Sequence, residues 1–131
     1  MRNMSFSMTT QQIRDGSKLV TRRLAWLKLV GKSGILLQGV VKGMGLKKGE
    51  HVEKIRVIRL VEARREPLRR MIDDLDYGWC EVSLEGFPDM HPANFVTWFC
   101  KGHHCTPDRM ITRIEFEYVE GEDERRIAVH G

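Results

Sequence analysis

The chain has 131 residues, a formal charge of +4, and 41% hydrophobic against 31% charged residues. That is the size of one domain with enough apolar mass to bury a core, which excludes a disordered tail or a miniprotein dependent on disulfides. No run approaches the ~18 apolar residues of a membrane span. Three cysteines, an odd count, and no apolar leader segment predict a reducing, cytoplasmic setting.

In chain order, residues 4–8 predict a short strand with Phe6 and Met8 on one face. Thr9-x-x-Gln12 has the form of a capping box and opens a short helix. Gly16 supplies the left-handed residue that ends it. The next stretch, Ser17 to Arg23, places Lys18, Thr21, Arg22 and Arg23 within six positions with no acid among them. Residues 24–30, around Trp26, read as a strand or a tight turn. A strand over 35–41 is flanked by glycines on both sides. The basic, glycine-rich loop 42–50 carries Lys42, Lys47 and Lys48 and reads as a hairpin connection; the pattern of a phosphate-binding loop is absent. Residues 51–65 form the longest strand candidate. Its alternation slips between Val57 and Ile58, which predicts a bulge, and Arg56 is among the basic residues that decorate it.

Pro67 opens a short helix over 68–72, which Asp73, Asp74 and Asp76 help to end. With Glu62 and Glu66 these acids read as a solvated edge. Residues 77–84 give no clear periodic signal. His91-Pro92 starts a helix with Phe95, Trp98 and Phe99 on one stripe, assigned to core packing rather than to base stacking. Residues 110–118 alternate as a half-buried strand with Ile114, Phe116 and Tyr118 inward. The polar tail 120–131 is expected to be mobile or an added edge strand. The sum is mainly β with short helices, an α+β chain forming a small, partly open barrel with helices plugging one end.

Charge is unevenly spread. Residues 1–50 hold ten Lys/Arg against Asp15 and Glu50, a balance of +8, and the remainder hold twelve against sixteen, a balance of −4. The basic half contains the Lys18–Arg23 stretch, which favours a phosphate-bearing or strongly polar partner. In a regular strand Lys18 and Thr21 point to opposite faces, so they meet only if a turn at Gly16 intervenes; Thr21 and Arg23 share a face and Arg22 points the other way. A threonine hydroxyl becomes a nucleophile when a base takes its proton, and a lysine is such a base when burial or cation neighbours lower its pKa. The competing interpretation is a structural hydrogen-bond cluster that ties helix to strand.

Gly16, Lys18, Thr21 and Arg23 match G-x-K-x-x-T-x-R, and on this motif the chain resembles the ASCH domain family, small barrels related to PUA domains. Ser5 to Ile13, Glu85-Gly86-Phe87-Pro88 and Ile111 to Phe116 resemble that family's entry strand with first helix, late helix entry and last strand, nearest its phage and prophage branch. The resemblance implies a PUA-like barrel over residues 1–119 and a basic cleft that binds RNA or a modified nucleoside. For some members it also implies an amidohydrolase acting on acetylcytidine-type nucleosides through a lysine, a threonine and a glutamate. Carried over, the catalytic set is Lys18, Thr21 and Glu85, with Glu81 the rival carboxylate. Arg23 matches a family arginine that holds substrate; Arg22, Lys42, Lys47, Lys48 and Arg56 are expected, from their charge and not from the resemblance, to contact the ligand as well. A ribonuclease and a phage-encoded adaptor that grips another protein are the further alternatives.

Cys100, His103, His104 and Cys105 have the softness of zinc ligands, but their crowding lacks the separated pairs of a zinc site, so no metal or other cofactor is assigned. Trp79 beside Tyr77 reads as a packed loop before a stacking surface.

Overall fold

The computed structural model describes residues 1–43 and 46–120. The elements are β1 (Arg2–Ser5), α1 (Thr10–Arg14), β2 (Val20–Arg23), a 3-10 turn (Leu27–Leu29), β3 (Leu36–Val40), β4 (Lys54–Pro67), α2 (Arg70–Asp73), α3 (Leu75–Leu84), α4 (Pro92–His103) and β5 (Met110–Tyr118). The five strands form one mixed sheet in the order β1-β3-β4-β5-β2, with β1 parallel to β3 and every other pairing antiparallel. The sheet curls into a half-barrel with four short helices, an α+β architecture. The expected barrel is therefore open: β1 and β2 are edges, and no ladder joins them.

The curl has identifiable causes in β4. Two register shifts add residues to this strand, one between Lys54 and Val57 opposite β3 and one at Val61 opposite β5. Each extra residue bends the strand and increases its twist. The bulge expected between Val57 and Ile58 thus falls on either side of that pair. Gly39 faces the first bulge, where a Cβ would lie 2.9 Å from the Arg56 carbonyl oxygen.

The hollow of the sheet holds one apolar cluster, built on Met4, Phe6, Ile13, Ile58, Leu60 and Phe116. A second lies beneath the helices, built on Leu68, Met71, Val82, Phe95, Phe99 and Ile111. Met8, expected beside Phe6, is 70% exposed, because β1 ends at Ser5 and the chain has already turned. Thr9 precedes α1 without a side-chain cap, and the neighbouring Thr10 hydroxyl donates to Phe6 O at 2.8 Å instead. Pro67 closes β4 rather than opening a helix. Asp74 ends α2, as expected, and also starts α3, its side chain accepting from Tyr77 N. Residues 121–131, all but the first residue of the expected tail, lie outside the described residues.

Candidate functional site

The site is built by the corner after α1. Gly16 adopts φ +79°, and the Asp15 carboxylate accepts from Ser17 N at 2.9 Å, so the chain reverses within three residues. Lys18 is then pinned from three directions. Its N–H reaches Gln12 O in α1, its carbonyl accepts from the Tyr118 hydroxyl, and the next N–H, of Leu19, reaches Leu84 O at the end of α3. The end of α3 approaches this closely because Gly86 carries no side chain. A Cβ there would meet Gln12 Cγ at 2.7 Å, and its φ of +99° suits only glycine.

The Lys18 amine meets Glu85, the C-cap of α3, donating to Oε1 at 2.7 Å and to the main-chain oxygen at 3.0 Å. Both residues are 2% exposed. Burial holds the ammonium below its ordinary value; Glu85 opposes this, while Arg23 and Arg22 add to it. Glu85, and not Glu81, is therefore the carboxylate beside the lysine. It was expected just before the late helix, but the exit of α3 is what positions it.

Thr21 and Arg23 share a face of β2, as their spacing requires, and Arg23 Nε donates to Thr21 Oγ1 at 3.3 Å. Arg23 Nη2 donates to Ser5 O at 2.6 Å. This bond crosses from one edge strand of the sheet to the other, so a single guanidinium bridges the open seam of the half-barrel. Among the described residues Arg23 has no carboxylate partner within salt-bridge distance, and burial pushes its pKa down to about 10 with Glu85 opposing. The seam itself is a pocket of about 190 Å³. Ser5 to Thr9 line one side, Lys18, Thr21, Arg22 and Arg23 the other, with Glu85 and the α4 side chains Phe95, Trp98, Phe99 and His103 beneath. Lys18 and Thr21 share this pocket without a direct hydrogen bond between them.

Arg22 is on the pocket wall, but its side chain is committed to carboxylates, which corrects its assignment as a ligand contact. Its side chain is fully enclosed. It points away from Thr21 and Arg23 and donates to Glu85 at 3.1 Å, Glu81 at 2.5 Å and Glu66 at 3.5 Å. Burial would lower its pKa, but Glu85 and Glu81 hold it above the ordinary value. Glu81 also takes Arg113 at 2.5 and 3.0 Å. Burial would raise the Glu81 pKa, yet Arg113 and Arg22 hold it down to about 2. Glu66 accepts from the Tyr77 hydroxyl at 2.8 Å and from Arg64 at 2.9 Å, so it belongs to the interior and not to a solvated edge. A continuous buried network thus runs from Lys18 through Glu85, Arg22 and Glu81 to Arg113.

The remaining predicted contacts lie elsewhere. Lys42, Lys47 and Lys48 are exposed on their loop and do not line the pocket. Arg56 stacks over the Tyr118 ring, 4.0 Å from its centroid, and pairs with Glu120. Phe95 and Phe99 are core, as expected of the stripe, whereas Trp98 is 37% exposed beside the pocket. Cys80, Cys100 and Cys105 are free thiols, and among the described residues no three His, Cys, Asp or Glu side chains are grouped to hold a metal ion. No helix among them is long and apolar enough to cross a membrane.

No family model matches the chain, and no curated protein does. Among solved structures, the crystal structure of protein EF3133 from Enterococcus faecalis V583, described by the family model DUF984, is similar. It is 15% identical, has a TM-score of 0.57, and the alignment covers 100% of this chain and 84% of that one. At that identity the likeness is one of fold.

Proposed function

We propose that the protein is an ASCH-type, PUA-like domain whose seam pocket binds a single modified nucleoside. The observation that carries this reading is the pairing, in one pocket, of a desolvated amine with an arginine that has no carboxylate partner among the described residues. The open, curled sheet is compatible with that family, and its edges provide the pocket walls. The volume of about 190 Å³ lies below the ~300 Å³ where pockets for drug-sized ligands begin. It therefore suits one substituted ring better than a strand of RNA, and the exposed loop lysines lie away from it. Arg23 presents Nη1 without a protein partner among the described residues, ready for a carbonyl or phosphate oxygen.

A second reading, deacylation of an acylated cytosine amine, is favoured by the depressed Lys18 amine. In its neutral form Lys18 accepts the Thr21 proton and the alkoxide attacks the amide carbonyl carbon. The carbon–nitrogen bond breaks, and the proton passes from Lys18 to the departing exocyclic nitrogen. Water then cleaves the Thr21 ester, releasing the carboxylic acid and restoring the hydroxyl. Arg23 Nε, already on Thr21 Oγ1, stabilises the alkoxide. The missing Lys18–Thr21 hydrogen bond is the kind that forms when substrate closes a loose site. Glu85 holds the amine in place. The test is chromatographic conversion of acetylcytidine to cytidine. Turnover lost in Thr21→Ala with binding retained supports hydrolysis; binding without turnover leaves the nucleoside reading; neither binding nor turnover by the wild type removes both.

A further inference from the structure

The seam pocket has a neighbour at α4. A second cavity of about 280 Å³ is lined by Met8, Trp98, Phe99, Gly102 and His103. Four of these five residues, all but Gly102, also line the seam pocket, so the two spaces adjoin along them. Their chemistry differs. The seam pocket carries Lys18, Thr21, Arg23 and Glu85 on its walls, whereas the annex side chains offer the His103 imidazole and the Trp98 indole N–H. That ring lies against Phe99 with centroids 4.2 Å apart. Burial, Arg23 and His104 hold His103 below its usual pKa, which favours the uncharged ring. Met8 at 70% and Trp98 at 37% exposure form the rim. Large apolar side chains left open beside a polar pocket have surface to cover, and aromatic faces with a thioether favour a flat ring.

We infer that the annex is an apolar subsite, adjoining the polar pocket, that receives an aromatic substituent carried by the same ligand. The inference rests on the reading of the seam pocket as a nucleoside site and assigns the substrate class: an aryl amide rather than a simple acetyl amide. The carbonyl sits beside Thr21 and Arg23, and the aryl group extends over Phe99 toward Gly102. A neighbouring base of an RNA strand is the less favoured occupant. Base edges require several hydrogen-bond partners, and the annex side chains supply the His103 imidazole and the Trp98 indole N–H.

Gly102 makes the test specific. It lies in the last turn of α4, and a Cβ built on it meets nothing within 4 Å. Gly102→Leu therefore adds bulk at a residue that lines the annex, its Cβ meeting no neighbour, and leucine is the better helix former. Calorimetry would compare acetylcytidine, benzoylcytidine and a cytidine dinucleotide on the wild type, Gly102→Ala and Gly102→Leu. The expected result is benzoylcytidine at least about tenfold tighter than acetylcytidine on the wild type. The advantage shrinks below about threefold in Gly102→Leu, with acetylcytidine unchanged within about twofold in both variants. Equal affinities for the two amides, or an advantage untouched by Gly102→Leu, would overturn the subsite. So would a Gly102→Leu-sensitive gain for the dinucleotide alone, which would place a base there. If no cytidine binds, the nucleoside reading fails separately. N-methylbenzamide against N-methylacetamide, followed by NMR shifts, then decides the annex: a benzamide preference lost in Gly102→Leu sustains it, and no preference overturns it.

Discussion

Replacing Glu85 by glutamine removes one charge from an enclosed network while keeping the side chain's shape. The carboxylate lies 2.7 Å from the Lys18 amine and 3.1 Å from Arg22, with partner side chains 3% and 0% exposed. Removing one partner of a buried pair costs about 3–5 kcal/mol. Arg22 keeps Glu81 and Glu66, so the loss falls on Lys18, which can shed its proton. We therefore take the low end, about 3 kcal/mol. For a domain of this length, about 4 °C of melting temperature per kcal/mol makes that a fall of roughly 12 °C near neutral pH. Lys18 also gives the effect a sign with pH. Its folded pKa is below 10.5, so the unfolded chain binds more protons between the two values and stability rises with pH across that window. Without Glu85 the folded pKa drops further, and the gap between wild type and Glu85→Gln narrows as pH rises. Circular dichroism melts of wild type, Lys18→Met, Glu85→Gln and the double variant measure both effects, with a coupling above about 1 kcal/mol expected. A Glu85→Gln protein melting within about 2 °C of its parent, or a gap that does not change with pH, would refute this reasoning.

Three further outcomes are expected of the same buried network and helix packing. Glu81, held at about 2 against an ordinary 4.5, contributes stability that is complete above about 4.5 and is lost as pH falls toward 2. The contribution is about 3 kcal/mol, so urea midpoints should drop through that window and drop less in Glu81→Gln. Gly78→Ala should destabilise by more than about 3 kcal/mol, because a Cβ there would lie 2.0 Å from Met71 O and within 2.9 Å of two Pro92 carbons; a denaturation curve close to that of the wild type would contradict this packing of α2, α3 and α4. Carbon-13 NMR of lysine ε-carbons should find one amine, absent from the spectrum of Lys18→Met, that titrates below the others; a Lys18 that titrates with the exposed lysines would exclude its role as a base.

The parts of the fold legible in the sequence are those governed by local rules. Gly16 ends a helix, Pro92 begins one, and alternation marks β5. The parts that were not legible depend on distant charges. Residues 77–84 gave no periodic signal because the inward face of α3 presents Gly78, Glu81 and Val82. A carboxylate is not scored as a core residue until Arg22 and Arg113 arrive from β2 and β5, 59 and 32 positions away. For the same reason Arg22 resembled a ligand contact: its three carboxylate partners lie on later elements. The Thr21–Arg23 spacing did forecast that these two side chains share a face, whereas the place of Lys18 depended on the turn at Gly16. The aromatic wall and the Met8 rim could not be read, since they depend on β1 ending at Ser5 and on the seam that the curled sheet leaves open.

Calorimetric titration of acetylcytidine into the wild type and into Arg23→Met tests the central claim most directly. Saturable binding by the wild type, weakened at least about tenfold in Arg23→Met, is the predicted result. No binding by the wild type up to about millimolar ligand, or equal affinity in the two proteins, would contradict a nucleoside site at the seam.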